Sequence, residues 1–162
     1  MKDRPRIDPE LYAETLRELR GAIGTANNEI DAHSLACEQL YQRFDHYSWV
    51  GIYVVEGDEL VLSAYSGPDE TEHTRIAVGE GICGLAAATG ETEIVPDVSQ
   101  RPEFIACFPS TKSEIVVPIR GRNGVLGEID IDSDWLDAFD ARDREFLEAV
   151  AAELASVVSR EA

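Results

Sequence analysis

Residues 113–133 read SEIVVPIRGRNGVLGEIDIDS. Two β-branched runs flank a Gly-Arg-Asn-Gly turn, the pattern of a β-hairpin. In the second arm Glu128, Asp130 and Asp132 alternate with Ile129 and Ile131, so the acids share one face of their strand. The face taken by Glu114 depends on the turn. A two-residue Asn123-Gly124 loop puts Glu114 on the face opposite the aspartates. A three-residue loop, Arg122-Asn123-Gly124 with a left-handed glycine, pairs Gly121 with Val125. It thereby sets Val116 against Asp130 and Glu114 against Asp132. On that register three carboxylates converge, and one is expected to hold its proton to a raised pKa. Such a group suits a cation-binding cluster or a protonated general acid. The same alternation also fits a solvated strand on an acidic protein.

Outward from the hairpin, YSWVGIYVVEGDELVLSAYSG (47–67) reads as two strands around Glu56-Gly57-Asp58. TRIAV (74–78) and TEIVP (92–96) are short strands, and EGICGLAAATG (80–90) is a short helix ended by Gly90. Residues 97–112 form an irregular loop. Asp8-Pro9 opens a first helix whose apolar stripe is Leu11, Leu16, Leu19 and Ile23. A second helix follows Asp31 and carries Ala36, Leu40 and Phe44 on one face, and Asp140 caps a last helix over 141–158. Helices at both ends of an antiparallel meander predict an α+β fold, with those helices packed on one face of the sheet and a ligand pocket on the other.

The 162 residues suit one domain, 1–162, able to bury roughly 70% of its unfolded surface without metal or disulfide support. The net charge is −18, and lysine is confined to Lys2 and Lys112. That charge repels nucleic acid and anionic membranes, so neither is expected as a partner. It reads as a hydrated surface adapted to a salt-rich cytoplasm, or as a face for a basic partner. A charged start, MKDRPRIDPE, and the lack of a long apolar run predict a cytoplasmic protein.

Three cysteines without a C-x-x-C pair argue against a disulfide scaffold and a zinc site, and no metal or cofactor is expected. Cys37 lies on the apolar stripe of its helix and reads as a small buried hydrophobe. Cys83 sits in GEGICG (79–84), which matches the dinucleotide pattern but lacks a surrounding βαβ unit. In the first turn of a helix, its thiolate should be favoured by the helix dipole. Cys107 lies in a loop near Arg101 and Lys112, and there a reactive thiol and a buried one are both open. His33, His46 and His73 fall in unrelated segments and read as ordinary core or surface residues.

Taken together, SWVGIY (48–53), GEGICGLAAATGETEIVPDV (79–98), IAC (105–107), SEIVVPI (113–119) and GEIDIDS (127–133) resemble the free methionine-(R)-sulfoxide reductases, enzymes built on one GAF domain. The resemblance spans about residues 8–158. It implies that Cys107 and Cys83 are the redox pair, that Glu114, Asp130 and Asp132 contact the substrate, and that Trp49 and Tyr53 wall its pocket. It further implies free methionine sulfoxide as substrate, a cysteine sulfenic acid resolved as a disulfide, and a thioredoxin-like reductant as partner. A non-catalytic GAF domain that binds a small molecule or senses redox state is the alternative. The electron donor and the oligomeric state, a homodimer included, are left open. His73 stands where many members carry a further cysteine, and Phe104 and Phe108 flank Ile-Ala-Cys where histidine and aspartate are usual.

Overall fold

The structure, a computed structural model, describes residues 6–102 and 108–161, with side chains through Val157. The chain runs α1 (Pro9–Thr25), α2 (Glu29–Arg43), β1 (Trp49–Glu56), β2 (Glu59–Ser66), β3 (Arg75–Ala77), α3 (Gly81–Thr89), β4 (Glu93–Val95), β5 (Ser113–Gly121), β6 (Gly124–Ser133) and α4 (Ala141–Glu161). A short 3-10 turn at Val98–Gln100 interrupts the loop after β4. The strands form one sheet of order β3-β2-β1-β6-β5-β4, every neighbour antiparallel.

Local chemistry fixes the helix ends. Asp8 accepts from the Glu10 amide at 2.9 Å, and Pro9 fills the first turn, where its missing N–H costs nothing. The second helix begins at Glu29, ahead of the expected Asp31, because the Asn28 side chain takes the Asp31 amide at 2.9 Å. Gly90, left-handed at φ 72°, stops α3. At the start of α4, Asp140 accepts from the Arg142 and Asp143 amides while Asp143 accepts back from the Asp140 amide. This is a reciprocal cap.

Strand alternation divides the interior in two. Val50, Ile52, Ile115, Val117, Ile129 and Ile131 meet the helical core of Leu19, Ile23, Leu40, Leu147, Val150 and Leu154. Helices α2 and α4 lie against the sheet there, and α1 packs across both. The opposite face carries Trp49, Tyr53 and Val116, covered by Ile82, Cys83 and Ala86 of α3. Helices on one face and a separate enclosure on the other are the expected α+β architecture.

The hairpin reaches its register by a different device from the one the sequence suggests. Gly121 pairs with Gly124, not with Val125, leaving a two-residue turn of Arg122 and Asn123. The register then shifts: Arg120 meets Val125 but Ile119 meets Gly127, so Leu126 is one extra residue in β6. Leu126 lies over Gly121, where a Cβ would approach it to 2.9 Å, and packs against the helical core. That bulge restores the parity. Val116 faces Asp130 and Glu114 faces Asp132.

Candidate active site

Strand parity sends Glu128, Asp130 and Asp132 away from the helical core, and on β1 their partners are Tyr53, Gly51 and Trp49 in that order. Glu114 joins them from β5. All four acids are buried, none more than 4% exposed. The Trp49 ring folds back over Gly51, where a Cβ would meet its Cη2 at 2.3 Å. It stacks on Tyr65 with centroids 6.0 Å apart and packs against Phe108 at 5.7 Å. Beside it opens a cavity of about 230 Å³, lined by Ser48, Trp49, Phe108, Thr111, Asp132 and Asp134 among others. Tyr53, Glu114 and Asp130 share the sheet face but do not line that cavity. Tyr53 is fully buried, and its hydroxyl donates to the His73 carbonyl at 2.8 Å.

The electrostatics of this face are unusual. Burial, then the charges of Asp130 and Asp132, pushes Glu114 well above the usual carboxylate range. Burial and Asp130 raise Glu128, and the Cys83 thiol offsets part of this. Burial and Asp130 likewise raise Asp132, against relief from Glu114 and Thr111. Asp130 rises through burial, moderated by the nearby Glu114 carboxyl and Cys83 thiol. The oxygens of Glu128, Asp130 and Asp132 make no well-formed hydrogen bond among the described residues. Cys83, Thr111 and the protons of the acids themselves are the donors at hand. Such a group of buried acids is stable only with protons retained or a cation bound.

Cys83 departs from the expectation of a thiolate. It does stand in the first turn of α3, but it is buried, and the charges of Asp130, Glu128 and Glu114 add to that burial in raising its pKa. The helix terminus contributes a fraction of a charge, and three nearby carboxyls outweigh it. The resting thiol is protonated. One donor atom each from Cys83, Glu114 and Asp130 lies within 4.8 Å of the others, an arrangement able to hold a metal ion. Cys37 is wholly buried in the helical core and its thiol is raised by burial, as read. Cys107 and Phe104 lie outside the described residues. Arg101, expected to sit near Cys107, pairs with Glu93 at 3.6 Å.

Residues 28–159 match the family model for the GAF domain. The free methionine-R-sulfoxide reductase of Saccharomyces cerevisiae is 47% identical over 81% of this chain and 74% of its own length. That of Escherichia coli is 31% identical over 93% and 90%. The chain belongs to the free methionine-R-sulfoxide reductase family of GAF domains. A free methionine-R-sulfoxide reductase of Neisseria meningitidis, solved in complex with its substrate, superposes with a TM-score of 0.89 at 34% identity, covering 99% of this chain and 98% of that one.

Within this reductase family member, the structure gathers Glu114, Asp130, Asp132, Trp49, Tyr53 and Cys83 on one sheet face. It also adds Glu128, whose place in the acidic alternation was visible but was not carried into the candidate site. Phe108 and Thr111 line the cavity; the sequence marks Phe108 only as a departure beside Ile-Ala-Cys and Thr111 only as a loop residue. The histidines are ordinary: His46 Nε2 bonds Asp143 at 2.8 Å in the helical core, and His33 Nδ1 bonds Ser63 at 2.7 Å. Among the described residues no helix is long and apolar enough to cross a membrane.

Proposed function

We propose that this chain reduces free methionine-(R)-sulfoxide to methionine, with Cys107 as the attacking thiol. The observation that carries the reading is the set of buried carboxyls beneath a Trp49-walled cavity, with Asp132 common to both. An amino acid brings an ammonium group, which two or more carboxylates bind well. A sulfoxide oxygen needs a proton as its bond to sulfur weakens, and a carboxylic acid kept protonated at neutral pH supplies one. Glu114, buried between Asp130 and Asp132, has both the burial and the neighbours for that role. Trp49 and Phe108 offer apolar surface for the S-methyl end.

In the proposed sequence, the Cys107 sulfur attacks the sulfoxide sulfur and the S–O bond breaks. The oxygen passes to Cys107 as sulfenic acid, and methionine leaves. The substrate sulfur gains two electrons and Cys107 loses two. The Cys83 thiol then displaces water from the sulfenic acid, giving a disulfide that a thioredoxin-like dithiol reduces. Phe108, the next residue after Cys107 in the chain, lines the cavity, which suits an attacking thiol supplied from that loop.

The test is turnover with dithiothreitol on the separate free (R) and (S) epimers. The (R) epimer alone should be reduced, with activity abolished by Cys107→Ser and retained in Cys37→Ser. Equal turnover of Cys107→Ser, or binding of the sulfoxide without reduction, would make the domain a ligand sensor instead.

A further inference from the structure

We propose that Cys83, Glu114 and Asp130 form a site for one thiophilic divalent cation of the Zn²⁺ class, and that the cation and the substrate exclude each other. The sequence suggests a cation cluster among the acids but not the thiol's part in it, because the ligands come from α3, β5 and β6 and include neither histidine nor a cysteine pair. In the fold, their donor atoms lie within 4.8 Å of one another. Ligands on a tetrahedral zinc, with Zn–S near 2.3 Å and Zn–O near 2.1 Å, stand roughly 3.5 Å apart. Closure by on the order of 1 Å therefore suffices, a rotamer adjustment rather than a refolding.

A second observation points to a ligand. Both oxygens of Asp130, which is wholly buried, make no well-formed hydrogen bond, and the same holds for Asp132 and Glu128 on the same strand face. Asp132, the cross-strand partner of Glu114, also lines the cavity, so it marks an entry path to the site. The donor set selects the metal. A thiolate disfavours Mg²⁺ and Ca²⁺, which take six or more oxygens, whereas carboxylates disfavour Cu⁺. One sulfur with two or three carboxylate oxygens suits Zn²⁺ or its probe Cd²⁺. As the cation enters, the thiol proton and a carboxyl proton leave to solvent, so the buried charge stays balanced.

The exclusion of substrate rests on the function proposed above, since it assumes that the same acids receive the substrate's ammonium. The binding does not, and it is measured without turnover. Cd²⁺ alone is titrated into the chelator-treated, phosphine-reduced full chain, following the ultraviolet thiolate-to-cadmium charge-transfer band. One equivalent should saturate the band. Cys83→Ser should remove it, Asp130→Asn should weaken binding at least tenfold, and Cys37→Ser and Cys107→Ser should leave it intact. Free methionine sulfoxide should then raise the apparent dissociation constant of Cd²⁺ in Cys107→Ser, which cannot turn over. Should Cys83→Ser not fold, X-ray absorption on the zinc-loaded wild type decides: a shell of one sulfur and two or three oxygens supports the site. A band that survives Cys83→Ser, one lost with Cys107→Ser alone, an all-oxygen shell, or no binding overturns the site. Binding indifferent to methionine sulfoxide overturns the exclusion.

Discussion

The Trp49 indole lies so close over Gly67 that a Cβ there would meet its Cδ1 at 2.4 Å. Gly51 beneath the ring is equally tight. The two glycines leave space that only the ring fills, and so hold the indole flat along the cavity wall beside Asp132. Gly67 follows β2 directly and has an ordinary backbone conformation, so its role is the missing side chain rather than a special turn.

Gly67→Ala should therefore displace the indole without unfolding the sheet. A contact of 2.4 Å to a rigid aromatic ring cannot relax by side-chain rotation alone. We expect KM for the sulfoxide to rise about tenfold, equivalent to about 1.4 kcal/mol of lost binding, with a melting temperature close to wild type. Unchanged KM would mean that the indole does not wall the substrate site.

A second prediction concerns acid stability, away from the site. Burial alone would push Asp143 up, but hydrogen bonding and charge attraction from His46, with the Asp140 amide and the Tyr47 hydroxyl, outweigh it and hold the carboxyl at about 2. Tyr12 donates to the same oxygen at 3.0 Å. A folded pKa below the usual 3.8 means that the unfolded chain binds the proton more readily. The stabilisation is therefore fully present above about pH 4 and disappears as pH falls through about 2, for a total of about 2 kcal/mol. Asp143→Asn should lose it at neutral pH and flatten that acid limb in urea unfolding. An unchanged acid limb would remove Asp143 from the account.

How much of this was legible in sequence differs residue by residue. Alternation over 127–133 gave the acid face directly, because a strand has period two. The pairing of Glu114 with Asp132 was also reachable, but the reason was not: the turn carries two residues and the bulge at Leu126 makes up the difference. A bulge depends on where Leu126 finds apolar contact, which is a tertiary fact. Cys83 shows the limit most clearly. The sequence shows a helix terminus, whereas burial, reinforced by three carboxyls from two distant strands, decides its proton. Tyr53 had the right parity, yet its hydroxyl is engaged by the carbonyl of His73, twenty residues on.

The net charge of −18 gives a third prediction. Repulsion among exposed carboxylates acts over a Debye length of ~10 Å at 0.1 M salt and ~3 Å at 1 M. If the acidity is an adaptation to salt, the melting temperature should climb by several degrees between those concentrations of KCl. A flat response would assign the acidic surface to a basic partner.

The last prediction separates the chemical step from its resolution, and the state of Cys83 sharpens it. A sulfenic acid on Cys107 needs a second thiol, and Cys83 beside the acids is the candidate among the described residues, Cys37 being sealed in the helical core. The Cys83 thiol is held protonated, so disulfide formation must first remove that proton, and Glu128 and Asp130 are the carboxyls beside it. Resolution should therefore be slower than methionine release. After one turnover without reductant, peptide mass mapping should find a Cys83–Cys107 disulfide, which requires Cα atoms within about 7 Å. Cys83→Ser should still release about one methionine per chain and then stall with thioredoxin as sole donor, because thioredoxin acts on disulfides. Dithiothreitol should partly restore turnover by attacking the sulfenic acid directly. Normal turnover of Cys83→Ser with thioredoxin would show that reductant reaches Cys107 unaided, and would leave the buried thiol to the cation site alone.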